Sequence, residues 1–288
     1  MKVFSVIGAG RLGTSLAAGL IKKGWTLEAF ADRIPAAARE SVHIVGQGTA
    51  TTDLGRAVRR TEVVFVCVPD DAIASVARLI ARRTSAWPGR FVYHSSGLLT
   101  AAALDPLKKQ GAMTGSLHPV QTFPRKDGTS RQFRGIYWDI EGSLEAVEFA
   151  LGIVRDLGGH GILIDAQSKP LYHAACSLAS NAFVSLERAS AALLAKAGLG
   201  PAQAEAVLLP LVQGTLQGVK ELGLAASLTG PISRGDLGTV RQHMAALTPY
   251  PRQREIYVAL AAQAVELLAG VKLSPEKVRA WKRLLEGK

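Results

Sequence analysis

Cysteine is scarce in this 288-residue chain: there are two, Cys67 and Cys176, each set in an apolar run. They offer neither a disulfide framework nor a metal-ligand spacing, so both read as reduced core residues and no metal site is expected. Aromatic residues are few as well, at 6%, and none form the basic, aromatic strand of an RNA-binding sheet. Acidic residues number 23 against 34 basic ones, a formal charge of +11. The basic residues are scattered, with nothing longer than pairs such as Lys22-Lys23, Arg59-Arg60 and Arg82-Arg83. Nucleic acid is therefore not the expected partner. Attraction of anionic cofactors and acid substrates is the simpler use of the charge. Uninterrupted apolar runs long enough to span a bilayer are missing, so no membrane partner is expected. The N-terminal stretch lacks the basic, apolar and cleavage-site order of a signal peptide, and the expected compartment is the cytoplasm. No repeat or low-complexity tract is evident, and the length suffices for two domains with separate cores.

What is present is concentrated in the first 33 residues. Residues 2–7 (KVFSVI) form a short apolar run of the kind found in buried parallel strands. They lead into Gly8-Ala9-Gly10-Arg11-Leu12-Gly13, a G-x-G-x-x-G pattern, followed by a helical segment over 14–23 and a second strand over 25–31. In such a unit the first glycine makes a tight turn, the second admits a pyrophosphate and the third lets helix pack on strand. The helix N-terminus then presents unpaired N–H groups to the phosphates. Strand, glycines, helix, second strand and an acidic residue, Asp32, 19 positions past Gly13 all agree, which is the context this motif requires. Gly8 to Gly13, with Asp32 and Arg33, are thus the expected core of a dinucleotide site. An acid at the end of the second strand favours NAD, whereas an Arg accommodates the 2′-phosphate of NADP. Both occur here, with Arg39 further along. The Arg fork matches phosphate, so NADP is favoured and NAD stays open.

Further along, 35–40 reads as a short helix, 42–45 as a third strand and 52–59 as a weak helix. Residues 62–68 (EVVFVCV) are the clearest strand, closed by Pro69-Asp70-Asp71, where either aspartate caps a helix over 72–83. A strand over 91–94 ends in His94-Ser95-Ser96-Gly97, a helix spans 101–110, and a strand over 113–117 precedes His118. A polar loop over 124–132 follows, then strands over 135–140 and 161–164 flanking a helix over 144–157. Alternation of this kind predicts a doubly wound, Rossmann-type parallel sheet, in α/β class, over residues 1–166. Ligands bind beyond the carboxyl ends of such strands, which adds Val68, Pro69, Asp70, Ser95 and Ser96 to the cofactor candidates. From Ser168 onward no strand is expected, so 167–288 reads as an all-α domain. Its first helix runs to Gly198, about 28 residues or 42 Å, and is apolar enough to be expected buried, with a second copy as one candidate cover. Helices over 202–222, 237–247, 252–268 and 275–285 complete it.

The long helix places His173, Ser177 and Asn181 at i, i+4 and i+8, three polar groups on an apolar rod. Either they pair within the core or they line a cleft, because burying them unpaired is costly. A His can donate the proton that carbonyl reduction needs, and an Asn amide can hold the oxygen. His118 and Ser96, at strand ends, are the matching candidates from the sheet side. Arg234, in the Gly/Pro-rich stretch from Thr229 to Asp236, is either an exposed loop residue or a clamp for a substrate carboxylate. Asp236 reads as the cap of the helix that begins at Leu237.

Four motifs in order carry a resemblance that covers nearly the whole chain. They are Tyr93-His94-Ser95-Ser96-Gly97, the run SLHPVQTF from Ser116 to Phe123, Tyr172-His173-Ala174-Ala175 with Asn181, and Thr229-Gly230-Pro231 with Arg234-Gly235-Asp236. The chain resembles the bacterial Rossmann-like proteins with a helical C-terminal domain of unknown function, within the 6-phosphogluconate dehydrogenase-like superfamily. Pyrroline-5-carboxylate reductase and ketopantoate reductase are relatives. The resemblance implies a nicotinamide-dependent oxidoreductase, usually a homodimer, acting on a small anionic substrate, ketopantoate in some similar proteins. One departure matters. Better-known members carry a catalytic Lys one turn before the Asn, where this chain has Ser177. The Lys mechanism cannot be transferred, and His173 is the substitute. Two readings stand: an NADP-dependent reductase of a small 2-oxo or imino acid, or a dinucleotide-binding sensor that has lost the chemistry.

Overall fold

The computed structural model describes residues 2–84 and 86–287. It divides into two compact units, Met1–Ser180 and Asn181–Lys288. The first unit is built in the order β1 (Val3–Ile7), α1 (Arg11–Ile21), β2 (Thr26–Ala31), α2 (Pro35–Val45), β3 (Thr49–Thr51), α3 (Leu54–Val58), β4 (Val63–Val66), α4 (Asp70–Arg83) and β5 (Phe91–His94). It continues through α5 (Asp105–Lys108), β6 (Met113–Pro119), β7 (Tyr137–Gly142), α6 (Leu144–Leu157), β8 (His160–Leu163) and α7 (Lys169–Ser177). One eight-stranded sheet results, ordered β3-β2-β1-β4-β5-β6-β7-β8. The strands from β3 through β6 are all parallel. The direction of winding reverses between β1 and β4, the place where an open α/β sheet leaves a crevice.

The pleat of β4 shows why the sheet is covered on both sides. Val63 and Phe65 face one cluster, with Leu16, Phe30 and Trp138, while Val64 and Val66 face the other, with Ile73, Ile80 and Val92. All four are buried, each worth about 1.5–3 kcal/mol relative to exposure. That double burial explains why this strand reads as an unbroken apolar run rather than an alternating one.

Three sequence expectations are corrected. Residues 42–45 are not a strand but the last turn of α2, despite their β-branched side chains. Pro35 presets the first turn, and Gly46, at φ 71°, donates its N–H to Val42 O at 2.8 Å and closes the helix in the left-handed region. The third strand is instead Thr49–Thr51. The sheet is also not wholly parallel, since β7 runs antiparallel to β6 before β8 resumes parallel to β7. Finally, 101–110 is a 3-10 turn, Ala101–Leu104, followed by the single turn of α5.

The second unit is helical: α8 (Phe183–Lys196), α9 (Pro201–Leu222), α10 (Leu224–Ser227), α11 (Pro231–Arg234), α12 (Leu237–Ala246), α13 (Pro251–Leu268) and α14 (Pro275–Leu285). Its core gathers Val240, Met244, Val265, Leu268 and Trp281. Asp236 caps α12 by accepting from Thr239 N at 3.0 Å, as its position before Leu237 predicts. The helix expected over 168–198 is interrupted by a π turn at Leu178–Ala182. Within the single chain Leu171, Leu178 and Val184 are exposed.

Within α7 the buried side chain is a charged one, Lys169. Its ammonium donates to Asp139 Oδ2 on β7 at 2.5 Å and to Ser116 Oγ on β6 at 3.1 Å, and all three residues are buried. Burial pushes the Asp139 carboxyl up from its usual range while the ammonium beside it pulls it back. Removing one member strands the other charge, whereas removing both leaves an apolar contact. Lys169→Met should therefore cost roughly 3–5 kcal/mol in urea unfolding, and Lys169→Met with Asp139→Leu should recover most of it. A single variant as stable as the parent would show that the pair does not fasten α7.

Candidate active site

The crevice at the switch point is a cavity of about 820 Å³. Its floor is the turn after β1, where crowding leaves room for nothing but backbone. Gly8 sits at φ 100°, and a side chain there would run into the carbonyl oxygen of Cys67. A side chain at Gly13 would strike Gly8 O and stand 2.9 Å from Val6 Cγ1. These two glycines bring α1 down onto β1 and β4. Gly10 differs: a side chain there would meet no protein atom within 4 Å. Its space is open, and the N-terminus of α1 that it begins has no side-chain cap and no acid in its first turn. Unpaired N–H groups beside an open glycine suit the pyrophosphate of a dinucleotide, so the residues present fit such a cofactor.

Of the residues expected to hold it, Gly8, Gly10, Asp32, Arg33, Val68 and Pro69 line the cavity. Ala9, Arg11, Leu12 and Gly13 complete the loop and first turn beneath it. Asp32 accepts from Ala9 N and from Ile34 N, both at 2.8 Å, and so ties the glycine turn to the start of α2. Arg33 lies exposed on the rim, whereas Arg39, on α2, is not part of the wall. The Cys67 thiol at the cavity floor is pushed up to about 12 by burial, which makes it an unreactive thiol.

Beyond β4 and β5 the rim is held by a chain of hydroxyls. Ser96 Oγ donates to Asp70 Oδ2 at 2.7 Å and accepts from Leu98 N and Leu99 N. Ser116 Oγ donates to Ser96 O at 2.9 Å and accepts from Lys169. Ser95 N donates to Val66 O at 3.3 Å, joining β5 to β4. Asp70 and Ser96 thus fold this turn, and Asp71 rather than Asp70 faces the cavity.

Past β6 three rings meet. His118 Nδ1 lies 2.8 Å from the Tyr172 hydroxyl, and its ring packs edge-on against His173 with centroids 5.9 Å apart. Gly97 makes room for them: a side chain there would sit 2.8 Å from His118 Cε1 and 2.9 Å from His173 Cδ2. Burial, and then the neighbouring His173 and Lys169, push the His118 imidazole down to about 4. His94 is buried at the end of β5, donating from Nε2 to Thr100 O and accepting from Ser96 N, and desolvation pushes it to about 4 as well. Ser177 follows His173 by one turn of α7.

Both depressed histidines have folded values below the 6.5 of the unfolded chain. Between those values the unfolded state binds more protons, so stability is full above pH 6.5 and is lost as pH falls toward 4. The unfolding free energy from urea titration should drop over that window by a few kcal/mol, lowering the midpoint, and His94→Gln should flatten the slope. A midpoint unchanged from pH 7 to pH 4.5 would contradict it.

Asn181 and Arg234 belong to the second unit. Asn181 lies in the π turn, where its carbonyl accepts from Ser185 Oγ at 3.1 Å. His173 and Ser177 keep the i, i+4 spacing within α7, and the π turn interrupts it before Asn181. Arg234 ends the one-turn α11, its N–H bonded to Gly230 O. Tyr172 and Gly97 stand in the motifs of the sequence without an assigned role, and the Lys169–Asp139 pair is not foreseen there. Asp139 carried a readable signal, a carboxylate in the middle of an apolar strand, which requires a cation.

No cluster of His, Cys, Asp and Glu suited to a metal ion occurs among the described residues, and no helix there is long and apolar enough to cross a membrane. Residues 2–119 match the model of a Rossmann-like domain, and residues 136–264 match that of a Domain of unknown function (DUF2520). No curated protein sequence matches the chain. Among solved structures, it is similar to a Bacteroides fragilis protein provisionally named an NADP oxidoreductase, at 26% identity and TM-score 0.74, over 91% of this chain and 97% of that one. It is similar to a Thermotoga maritima protein at 25% identity and TM-score 0.73, over 92% and 97%. A reductive aminase from Aspergillus terreus in complex with NADPH and ethyl-5-oxohexanoate shares the fold at 19% identity and TM-score 0.62, over 100% and 93%. The chain is therefore a Rossmann-like domain joined to a DUF2520 domain.

Proposed function

We propose that this protein is an NADP-dependent oxidoreductase that transfers a hydride between the nicotinamide and a small 2-oxo or 2-hydroxy acid, ketopantoate among the candidates, or an imino acid. The observation that carries the reading is the crevice whose floor admits no side chain at Gly8 and Gly13 yet stands open at Gly10, with Arg33 on its rim. The provisional name of the Bacteroides fragilis protein and the NADPH bound by the Aspergillus terreus aminase support the same cofactor. The bound nicotinamide would supply the hydride.

The chain's own residues then divide the remaining work. His173 gives the proton, and Asn181 holds the carbonyl or imine. His118, Ser96 and Ser177 bound the substrate, and Arg234 clamps a carboxylate. A second copy of the chain is the proposed partner, because α9 leaves Val207, Leu209, Leu211 and Leu216 exposed. One observation favours a sensor instead: the lysine of α7, Lys169, is committed to Asp139.

With a panel of 2-oxo acids, alone and with ammonium, NADPH should be oxidised in preference to NADH. His173→Ala should lower kcat about 10²–10⁴-fold with cofactor binding intact, and Arg234→Ala should mainly raise KM. Light scattering should read twice the 30.4 kDa chain mass. Tight NADPH binding with no turnover of any substrate would leave the sensor reading ahead.

A further inference from the structure

We propose that Arg83 is a second determinant of NADP selectivity, closing with Arg33 the pocket for the 2′-phosphate; this rests on the cofactor reading above. The helix α4 lays one stripe along the cavity, Ala72, Ser75, Val76, Leu79 and, last, Arg83. Across from it stand the carboxyl ends of β2 and β3. Ala31 is in register with Thr51, so Arg33 and Asp53 each lie two residues past the last pair of neighbouring strands. Arg83 Nη1 lies 2.9 Å from Asp53 Oδ1, which brings the guanidinium to the same end of the cavity as Arg33. Gly55 leaves it a path, since a side chain there would be 3.2 Å from Arg83 Cβ.

The way Arg83 is held suits an anion that comes and goes. Both partners are more than half exposed, at 53% and 55%, so their pairing is weak. Asp53 already accepts from Gly55 N and Arg56 N as the cap of α3, and the Arg56 backbone hydrogen bond leads the causes that hold its carboxyl below the usual range. One guanidinium nitrogen serves that carboxylate, while an Arg fork carries five N–H donors. Without Arg83, the charge of Asp53 would stand one strand away from a 2′-phosphate and repel it. Two apolar side chains that line the cavity, Ile34 from the β2 side at 53% exposure and Leu79 from α4 at 43%, are left bare in the way a flat ring would cover. An adenosine with a phosphate on its ribose accounts for the apolar pair and the arginines together.

The test is a calorimetric titration of the full chain with NADPH, NADH, 2′,5′-ADP and 5′-AMP. Arg83→Ala should weaken NADPH and 2′,5′-ADP about tenfold and leave NADH and 5′-AMP within about twofold. Arg83→Gln should do the same and serves if the first variant folds poorly. The preference for the 2′-phosphate should also shrink as salt rises. An equal loss for both cofactors, or no loss for either, overturns the role of Arg83 while leaving the cofactor reading in place. A parent protein that binds neither cofactor, or both alike, overturns the cofactor reading and this role with it.

Discussion

Everything functional in the first unit depends on a lack of space. At the end of β1 the backbone of Gly8 runs against the carbonyl of Cys67, and the first turn of α1 runs against Gly8 itself. No L side chain fits at Gly8 or Gly13, and the first of these also sits at a positive φ. That contact sets the height of α1 over the sheet, and so points its uncapped N-terminus into the crevice between the β1 and β4 ends. Asp32 then fixes the loop from the other side through its two backbone donors. A phosphate site assembled in this way needs no positive side chain at its centre, only N–H groups that folding has left unpaired.

The far end of the rim works by different physics. There a full charge, Lys169, is buried against Asp139 and reaches Ser116, so α7 is fastened to β6 and β7 by an ion pair rather than by apolar packing. Such a pair contributes little net stability but imposes geometry, since neither partner tolerates the loss of the other. Its geometric consequence is the placement of Tyr172 and His173, three and four residues along α7, against His118 and over Gly97. Burial first, and the neighbouring His173 and Lys169 after it, hold the His118 imidazole down at about 4, so it is neutral near pH 7.

How much of this the sequence discloses depends on how local each feature is. The glycine turn and the strands around β4 were legible because their signals, a fixed spacing and an unbroken apolar run, lie within a few residues. The strand β3 was not, because Thr49–Thr51 is three polar or small residues at a sheet edge, while the β-branched residues just before it are claimed by α2 through Pro35 and Gly46. Lys169 and Asp139 stand 30 residues apart and Arg83 and Asp53 likewise 30, so only the fold reveals them as partners. The π turn at Leu178–Ala182 has no periodic signature at all, so the i, i+4 reading holds for His173 and Ser177 but not on to Asn181.

The central claim is that the crevice between the β1 and β4 ends holds NADP with its nicotinamide directed toward β5 and β6. A crystal structure of the protein grown with NADP⁺ tests it most directly. The account predicts pyrophosphate density over Gly10 against the first amides of α1, the 2′-phosphate beside Arg33, and the nicotinamide ring past the ends of β4 and β5 on the side of His118. Density for the cofactor elsewhere, or its reversal so that adenine lies toward His118, would contradict the account.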